Sequence, residues 1–213
     1  GSYRAKFKRT VLRQSRAHRL GWESVLSRVG WAILMALLDV LLGPQETYYL
    51  AFLGALAVGA ADVYASELGL LSLDRPRLIV SGRPARPGQP GAISVLGIVA
   101  ALGAAWLVGL AGLLSAMLAA WLVRSDVART LLWLPLGAMI GGIAGCLLDS
   151  FLGATAQGVY YCRHCDEISE EPIHTCGASA EQIRGWSWLT NVRIDWVSSI
   201  VGAAAVVTLI TWL

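Results

Sequence analysis

Charge is what this sequence has least of. Only 15% of its 213 residues are Asp, Glu, Lys or Arg, against 56% hydrophobic residues. A soluble domain of this length has too little interior to hide that much apolar chain. Runs of this length with almost no charge predict an all-α, polytopic helical membrane protein formed as one integral membrane domain over residues 1–213. A secretory signal peptide is missing too: the N-terminus is basic and has no short apolar stretch with a small-residue cleavage site. The chain opens on Gly1-Ser2 rather than Met. That reads either as a cloning scar or as a fragment whose earlier helices are absent. No P-loop is present, because Gly82-Arg83-Pro84-Ala85-Arg86-Pro87-Gly88 lacks the Gly-Lys-Ser/Thr ending and its prolines remove backbone donors. Inverted internal repeats, a mark of many carriers, are not visible either.

Five apolar runs remain, at about 25–42, 47–66, 92–123, 131–148 and 197–213. The third is longer than one crossing needs and too short for two, so a single long or broken helix is expected. Glycines 97, 103, 109 and 112 in that run, and 137, 141, 142 and 145 in the next, suit close helix packing. Residues 1–28 form a basic arm, expected to lie on anionic lipid; nucleic-acid binding is not expected beside so many spans. With five crossings, the arm, the 72–91 loop and the 149–196 segment share one side. That side carries all but two, Arg124 and Arg129, of the 17 Lys and Arg. The positive-inside rule makes it the cytoplasmic side. Trp31, Trp186, Trp188 and Trp196 then fall near the inner interface, and Trp121, Trp133 and Trp212 near the outer one. A hairpin over 92–123 would abolish this asymmetry.

The same topology brings acidic helix ends to one rim. Asp62, Ser66 and Glu67 close the second run, and Asp149 and Ser150 close the fourth. Ionisable groups at that depth are costly and point to function; the plainer reading is that they reach water. Asp62 and Ser66, four apart, share a helix face, whereas Glu67 is about 140° from Asp62. If the fourth helix continues, Asp149, Gly153 and Gln157 form a stripe. Two separated acids facing a loop with Arg83 and Arg86 suit Mg²⁺ and a phosphorylated substrate. Mg²⁺ favours one or two carboxylates plus substrate phosphates, and guanidinium groups hold phosphate oxygens in pairs. The loop also reads as an ordinary turn.

Three of the four cysteines are clustered. Cys162-x2-Cys165 and His174-x-Cys176 supply three thiolates and an imidazole, a tetrahedral zinc shell. His164 competes with His174 for the fourth position, and His174 is preferred. Disulfides are disfavoured in a cytoplasmic segment. A zinc over 162–176 would be structural, since protein fills all four positions; the plainer reading is unliganded thiols. Cys146, within the fourth run, reads as packing.

Taken in order, residues 61–69 (ADVYASELG), 87–97 (PGQPGAISVLG) and 149–157 (DSFLGATAQ) resemble the motifs of a polytopic membrane family long catalogued as of unknown function. That family includes the plant chloroplast phytyl-phosphate kinase. The Cys/His loop and residues 185–189 (GWSWL) resemble its bacterial and archaeal members. The resemblance covers the chain from about Ser2 onward. It implies a membrane-embedded kinase of an isoprenoid phosphate, with CTP or another nucleoside triphosphate as donor. Asp62, Ser66, Glu67, Asp149 and Ser150 are its implied active-site candidates, with Asp62 and Asp149 on Mg²⁺. Arg83, Arg86, Ser94, Gln157, Asn191 and Asp195 are the substrate- and phosphate-binding candidates. The expected location is a prokaryotic inner membrane. Val192 and Asp195 depart from the family's usual Asn-rich segment there, and members carry further helices before the equivalent of Ser2. The alternative is a lipid or small-molecule carrier that uses the same acids.

Overall fold

The computed structural model describes residues 22–212. Five helices among them are long and apolar enough to cross a bilayer: α1 (Trp22–Leu42), α2 (Glu46–Gly69), α3 (Val95–Val123), α4 (Leu134–Thr155) and α5 (Asn191–Thr211). A 3-10 turn, Arg129–Trp133, leads into α4. The third run is one unbroken helix of 29 residues. At 1.5 Å per residue it is longer than the ~30 Å hydrocarbon core. Ser94 starts it by accepting the Gly97 N–H at 3.1 Å, and Arg124, in the left-handed region at φ 55°, stops it.

Along these helices many large apolar side chains face outward, among them Val40 and Trp121, 80% and 74% exposed. In water that would be an error; in a bilayer it is the lipid-facing surface. Inside, small residues let backbones meet. A Cβ on Gly142 would lie 2.5 Å from Ala105 Cβ of α3 and 3.1 Å from the Ala57 carbonyl of α2. One on Gly145 would lie 2.5 Å from Val58 Cγ2 of α2 and 2.9 Å from the Ser198 carbonyl of α5. Helix α4 is thus set closely against α2, α3 and α5, and close approach replaces the missing hydrophobic drive between helices. Towards the 3-10 turn the core is bulkier: Leu50, Leu53, Leu134, Val206 and Ile210 pack together.

Four helix ends reach past the apolar runs, for one reason. Helix α1 starts at Trp22, α2 runs on to Gly69, α4 runs on to Thr155, and α5 starts at Asn191. Each added turn carries charge, so an apolar window stops short of it. Residues 22–28 of the expected basic arm are therefore helix, while 1–21 lie outside the described residues. Between α4 and α5 the chain forms a three-stranded antiparallel sheet in the order β4-β3-β5, where β3 is Val159–Cys162, β4 Glu167–Ser169 and β5 Glu181–Arg184. Strands β1 (Arg77–Leu78) and β2 (Ala92–Ile93) close the α2–α3 loop.

Candidate functional site

The start of α1, the end of α2, the end of α4 and the start of α5 meet at one end of the bundle. Each contributes charge one to two turns inside its helix. Arg28 Nη2 of α1 lies 3.3 Å from Asp62 Oδ2 of α2, and its Nε lies 3.9 Å from Asp195 Oδ2 of α5. Ser27 Oγ donates to the same Asp195 oxygen at 2.8 Å. Ser27 and Asp195 are buried, and the Arg28 and Asp62 side chains are only 12% and 19% exposed. Asp149 of α4 completes the set: Asp62, Asp195 and Arg28 all act on it electrostatically, as does Glu170 from beyond β4.

Among the described residues this cluster holds three carboxylates and one guanidinium. Its polar atoms are under-satisfied. Among the described residues, five buried side-chain atoms lack a hydrogen-bond partner: Arg28 Nε, Asp149 Oδ1, Gln157 Nε2, Arg184 Nε and Ser198 Oγ. All five belong to this end of the bundle. Buried polar atoms are normally paired, so such a concentration needs an explanation.

Of the sequence candidates, the structure gathers Asp62, Asp149 and Asp195. Gln157 lies two residues past α4, 2% exposed, with its Oε1 placed 3.2 Å from where a Gly153 Cβ would be. The helix ends at Thr155, so the expected helical stripe stops at Gly153, and Gln157 comes back to it as a side chain from the following turn. Ser150 is half-buried beside Asp149, and Asn191 is half-buried at the first residue of α5. Ser66 and Glu67 are exposed, and the Ser66 hydroxyl turns back to its own helix at the Val63 carbonyl, 2.9 Å away. Ser94 is occupied as the α3 cap and also donates to the Gly69 carbonyl at 3.4 Å. Arg83 and Arg86 are exposed on the loop. Arg86 lines a cleft of about 460 Å³ with Arg75, Ser72 and Gln89, beside the end of α2; Arg83 is not in its lining.

Sequence reasoning missed Arg28, Ser27, Ser198 and Arg184. Arg28 was absorbed into the basic arm. The available signal was its place two turns into an apolar helix, opposite acids on two others. Arg184, on β5, donates from Nη2 to the Gly153 carbonyl at 2.8 Å, tying the sheet to the last turn of α4.

The sheet carries a second centre. Cys162 ends β3, Cys165 sits in the β3–β4 turn, and His174 and Cys176 lie in the β4–β5 loop. One ligand atom from each lies within 4.8 Å of all the others, a group able to hold a metal ion. Among the described residues no other set of three or more His, Cys, Asp or Glu meets that condition. His174 Nδ1 faces Cys176 Sγ at 3.2 Å while its Nε2 faces Glu167 at 3.6 Å. A carboxylate behind a ligating imidazole is the usual device for fixing its orientation. His164 is exposed and outside the group, so His174 is the nitrogen donor. The hydrogen bond with His174 pulls the Cys176 thiol down to about 6. Bonding to Cys176 instead pushes Cys165 up to about 11. All four cysteines are free of disulfides.

The chain belongs to the family described as integral membrane protein DUF92, which it matches over residues 1–203. It is 35% identical over 150 residues to Protein PGR of Arabidopsis thaliana, covering 70% of this chain and 50% of that protein. It is 34% identical over 105 residues to an uncharacterized membrane protein of Methanocaldococcus jannaschii, covering 49% of this chain and 39% of that one. The chain thus spans half or less of the length of these curated relatives. No solved structure matches it.

Proposed function

We propose that this member of the family is a membrane-embedded kinase that phosphorylates an isoprenoid monophosphate, with CTP or another nucleoside triphosphate as donor. One observation carries the reading. Among the described residues, carboxylates from three helices, Asp62, Asp149 and Asp195, gather about the guanidinium of Arg28, and Asp149 Oδ1 is left buried without a hydrogen-bond partner. A buried excess of negative charge is favourable only where a cation completes it.

The donor set fits Mg²⁺, a hard ion that takes carboxylate oxygens and keeps room for phosphates. Asp62 and Asp149 would hold it, with Asp195 kept behind them by Ser27 and Arg28. Held there, Mg²⁺ would supply positive charge against the donor phosphates and the leaving group. Arg28 serves as the standing counter-charge of the acids and keeps them from repelling one another. The acceptor is itself a phosphate oxygen, largely ionised at neutral pH since its second pKa is about 6. Its attack on the terminal phosphorus forms the new P–O bond as the bond to the nucleoside diphosphate breaks. The reaction needs no general base, so the exposed positions of Ser66 and Glu67 are no obstacle. Positioning and charge neutralisation remain, and those the cluster can supply. The cleft lined by Arg75 and Arg86 opens beside the same helix end and suits the donor's phosphates.

The metal knuckle takes Zn²⁺, whose preference for thiolate and imidazole matches its four donors, in a closed and therefore structural shell. By the positive-inside rule this whole end faces the cytoplasm, in a prokaryotic inner membrane. Helices α2, α4 and α5 run unbroken past the acids, whereas carriers typically bind at mid-membrane in discontinuous helices, so the kinase reading is preferred. The test is to supply purified protein with Mg²⁺, prenyl monophosphates and each nucleotide. Prenyl diphosphate should form with wild type and not with Asp149→Asn. Nucleotide-dependent product from both would sink the mechanism.

A further inference from the structure

Arg184 ties the metal knuckle to the last turn of α4, next to the acidic cluster, and it is a cation with no ion pair among the described residues. Arg184 ends β5, opposite Val159 of β3, and Val159 is 3% exposed. The guanidinium is anchored at one point, Nη2 on the Gly153 carbonyl, while Nε is buried without a partner. Among the described residues no carboxylate forms an ion pair with Arg184, in contrast to Arg163, which pairs with Glu181 at 2.6 Å on the exposed side of the same sheet. Beside it stands Gln157, 2% exposed, with Nε2 also lacking an acceptor. Gly153 links the two: its carbonyl takes the Arg184 bond, and its missing Cβ leaves room at the Gln157 oxygen. Gly153 is one turn beyond Asp149. Two N–H donors left unpaired at one place, one of them on a cation, mark a place for an oxyanion.

We propose that Arg184 and Gln157 form a binding site for a substrate phosphate, and that the metal knuckle exists to hold Arg184 there. This rests on the kinase reading for the identity of the substrate, but not for the existence of the site. The chemistry is that of a terminal phosphate, carried either by the lipid acceptor or by the nucleotide donor. The fold explains why an arginine supplied from outside the helices is used. Helix α4 presents Asp149 and Gly153 on one stripe, and a cation on the helix itself would pair with Asp149. A cation from a sheet pinned by its own metal can stand a turn away and stay free for the ligand. The knuckle thereby acts on Asp149 with both signs, through Glu170 electrostatically and through Arg184 by position.

The experiment uses the full chain in detergent, with farnesyl monophosphate, farnesol and CTP as probes. Dissociation constants are measured for wild type, Arg184→Leu and Arg184→Lys, with metal content recorded for each. Arg184→Leu should weaken farnesyl monophosphate about tenfold to a hundredfold, the range for a hydrogen bond to a charged group. It should leave farnesol unchanged and keep its metal, and Arg184→Lys should fall between. If CTP weakens and farnesyl monophosphate does not, the phosphate held here is the donor's and the site stands. Chelating the knuckle metal should weaken wild type by a similar factor and add little to Arg184→Leu. Equal affinity of wild type and metal-bearing Arg184→Leu for both phosphate probes would overturn the proposal. So would an equal loss for farnesol and farnesyl monophosphate. Arg184-dependent binding without any phosphoryl transfer would remove the kinase reading and leave this site standing. Transfer with KM values indifferent to Arg184 would do the reverse.

Discussion

Two clusters of ionisable side chains lie at one end of this bundle, and they are built on opposite plans. The thiolate group is complete. Its four ligand atoms lie within 4.8 Å of one another, its imidazole faces Glu167, and it is held by a small sheet outside the helices. The carboxylate group is incomplete. Its acids come from three different helices, a guanidinium stands among them, and Asp149 keeps an unpaired oxygen. A closed shell fixes a fold, whereas a shell that needs further ligands is one that substrate can finish. The difference teaches which centre to expect chemistry from. The knuckle holds its shape without substrate, while the acids are held ready by charge and by helix packing.

The sharpest break in that comparison should come from Asp149→Asn, which removes the one acid with a free buried oxygen. Turnover should fall by about a thousandfold, the scale seen when a principal electrostatic contact to the transition state is lost. Thermal stability should hold or rise, since repulsion with Asp62 and Asp195 is relieved. Arg28→Ala should show the reverse balance. It takes from the buried Asp195 the guanidinium beside it, and breaking a buried pair in this way costs about 3–5 kcal/mol. Unfolding curves in detergent should show the loss, and adding Asp195→Asn should recover part of it. Cys162→Ser should abolish metal binding at the knuckle, read by metal analysis, and leave the helices folded by circular dichroism. A Gly145→Val change tests the packing that brings α4 to α2 and α5: overpacking of this kind costs about 1–3 kcal/mol, with no change in knuckle metal. The smallest effect belongs to Ser66→Ala with Glu67→Gln. Both residues are exposed, and turnover should stay within about threefold of wild type, in keeping with ordinary surface substitutions.

The legible part of this protein was the part that hydropathy and ligand spacing encode. The number of helices, the single long α3 and the place of His174 rather than His164 in the Cys/His group all follow from patterns along the chain. What escaped was charge placed inside helices. Arg28 looked like the last residue of a basic arm, and Asp195 like part of a polar loop, because an apolar window ends at the first ionised residue. In the folded bundle those residues neutralise each other across α1, α2 and α5, so the true helices are longer than the apolar runs. Ser66 and Glu67 failed to join for the complementary reason. Glu67 is turned about 140° away from Asp62, while Ser66 shares the Asp62 face but lies a turn nearer the exposed helix end, with its hydroxyl returned to the Val63 carbonyl. Arg184 could not be found from the sequence at all, because its place depends on how the sheet folds back onto α4.

The measurement that bears most directly on the central claim is product analysis by mass spectrometry with Mg²⁺, farnesyl monophosphate and CTP or ATP. Wild type and Asp149→Asn would be compared at equal knuckle metal and equal folding. The account predicts farnesyl diphosphate and nucleoside diphosphate in equal amounts from wild type, and neither from the variant. Folded, metal-bearing wild type that forms no product with either nucleotide, or equal product from both proteins, would contradict it.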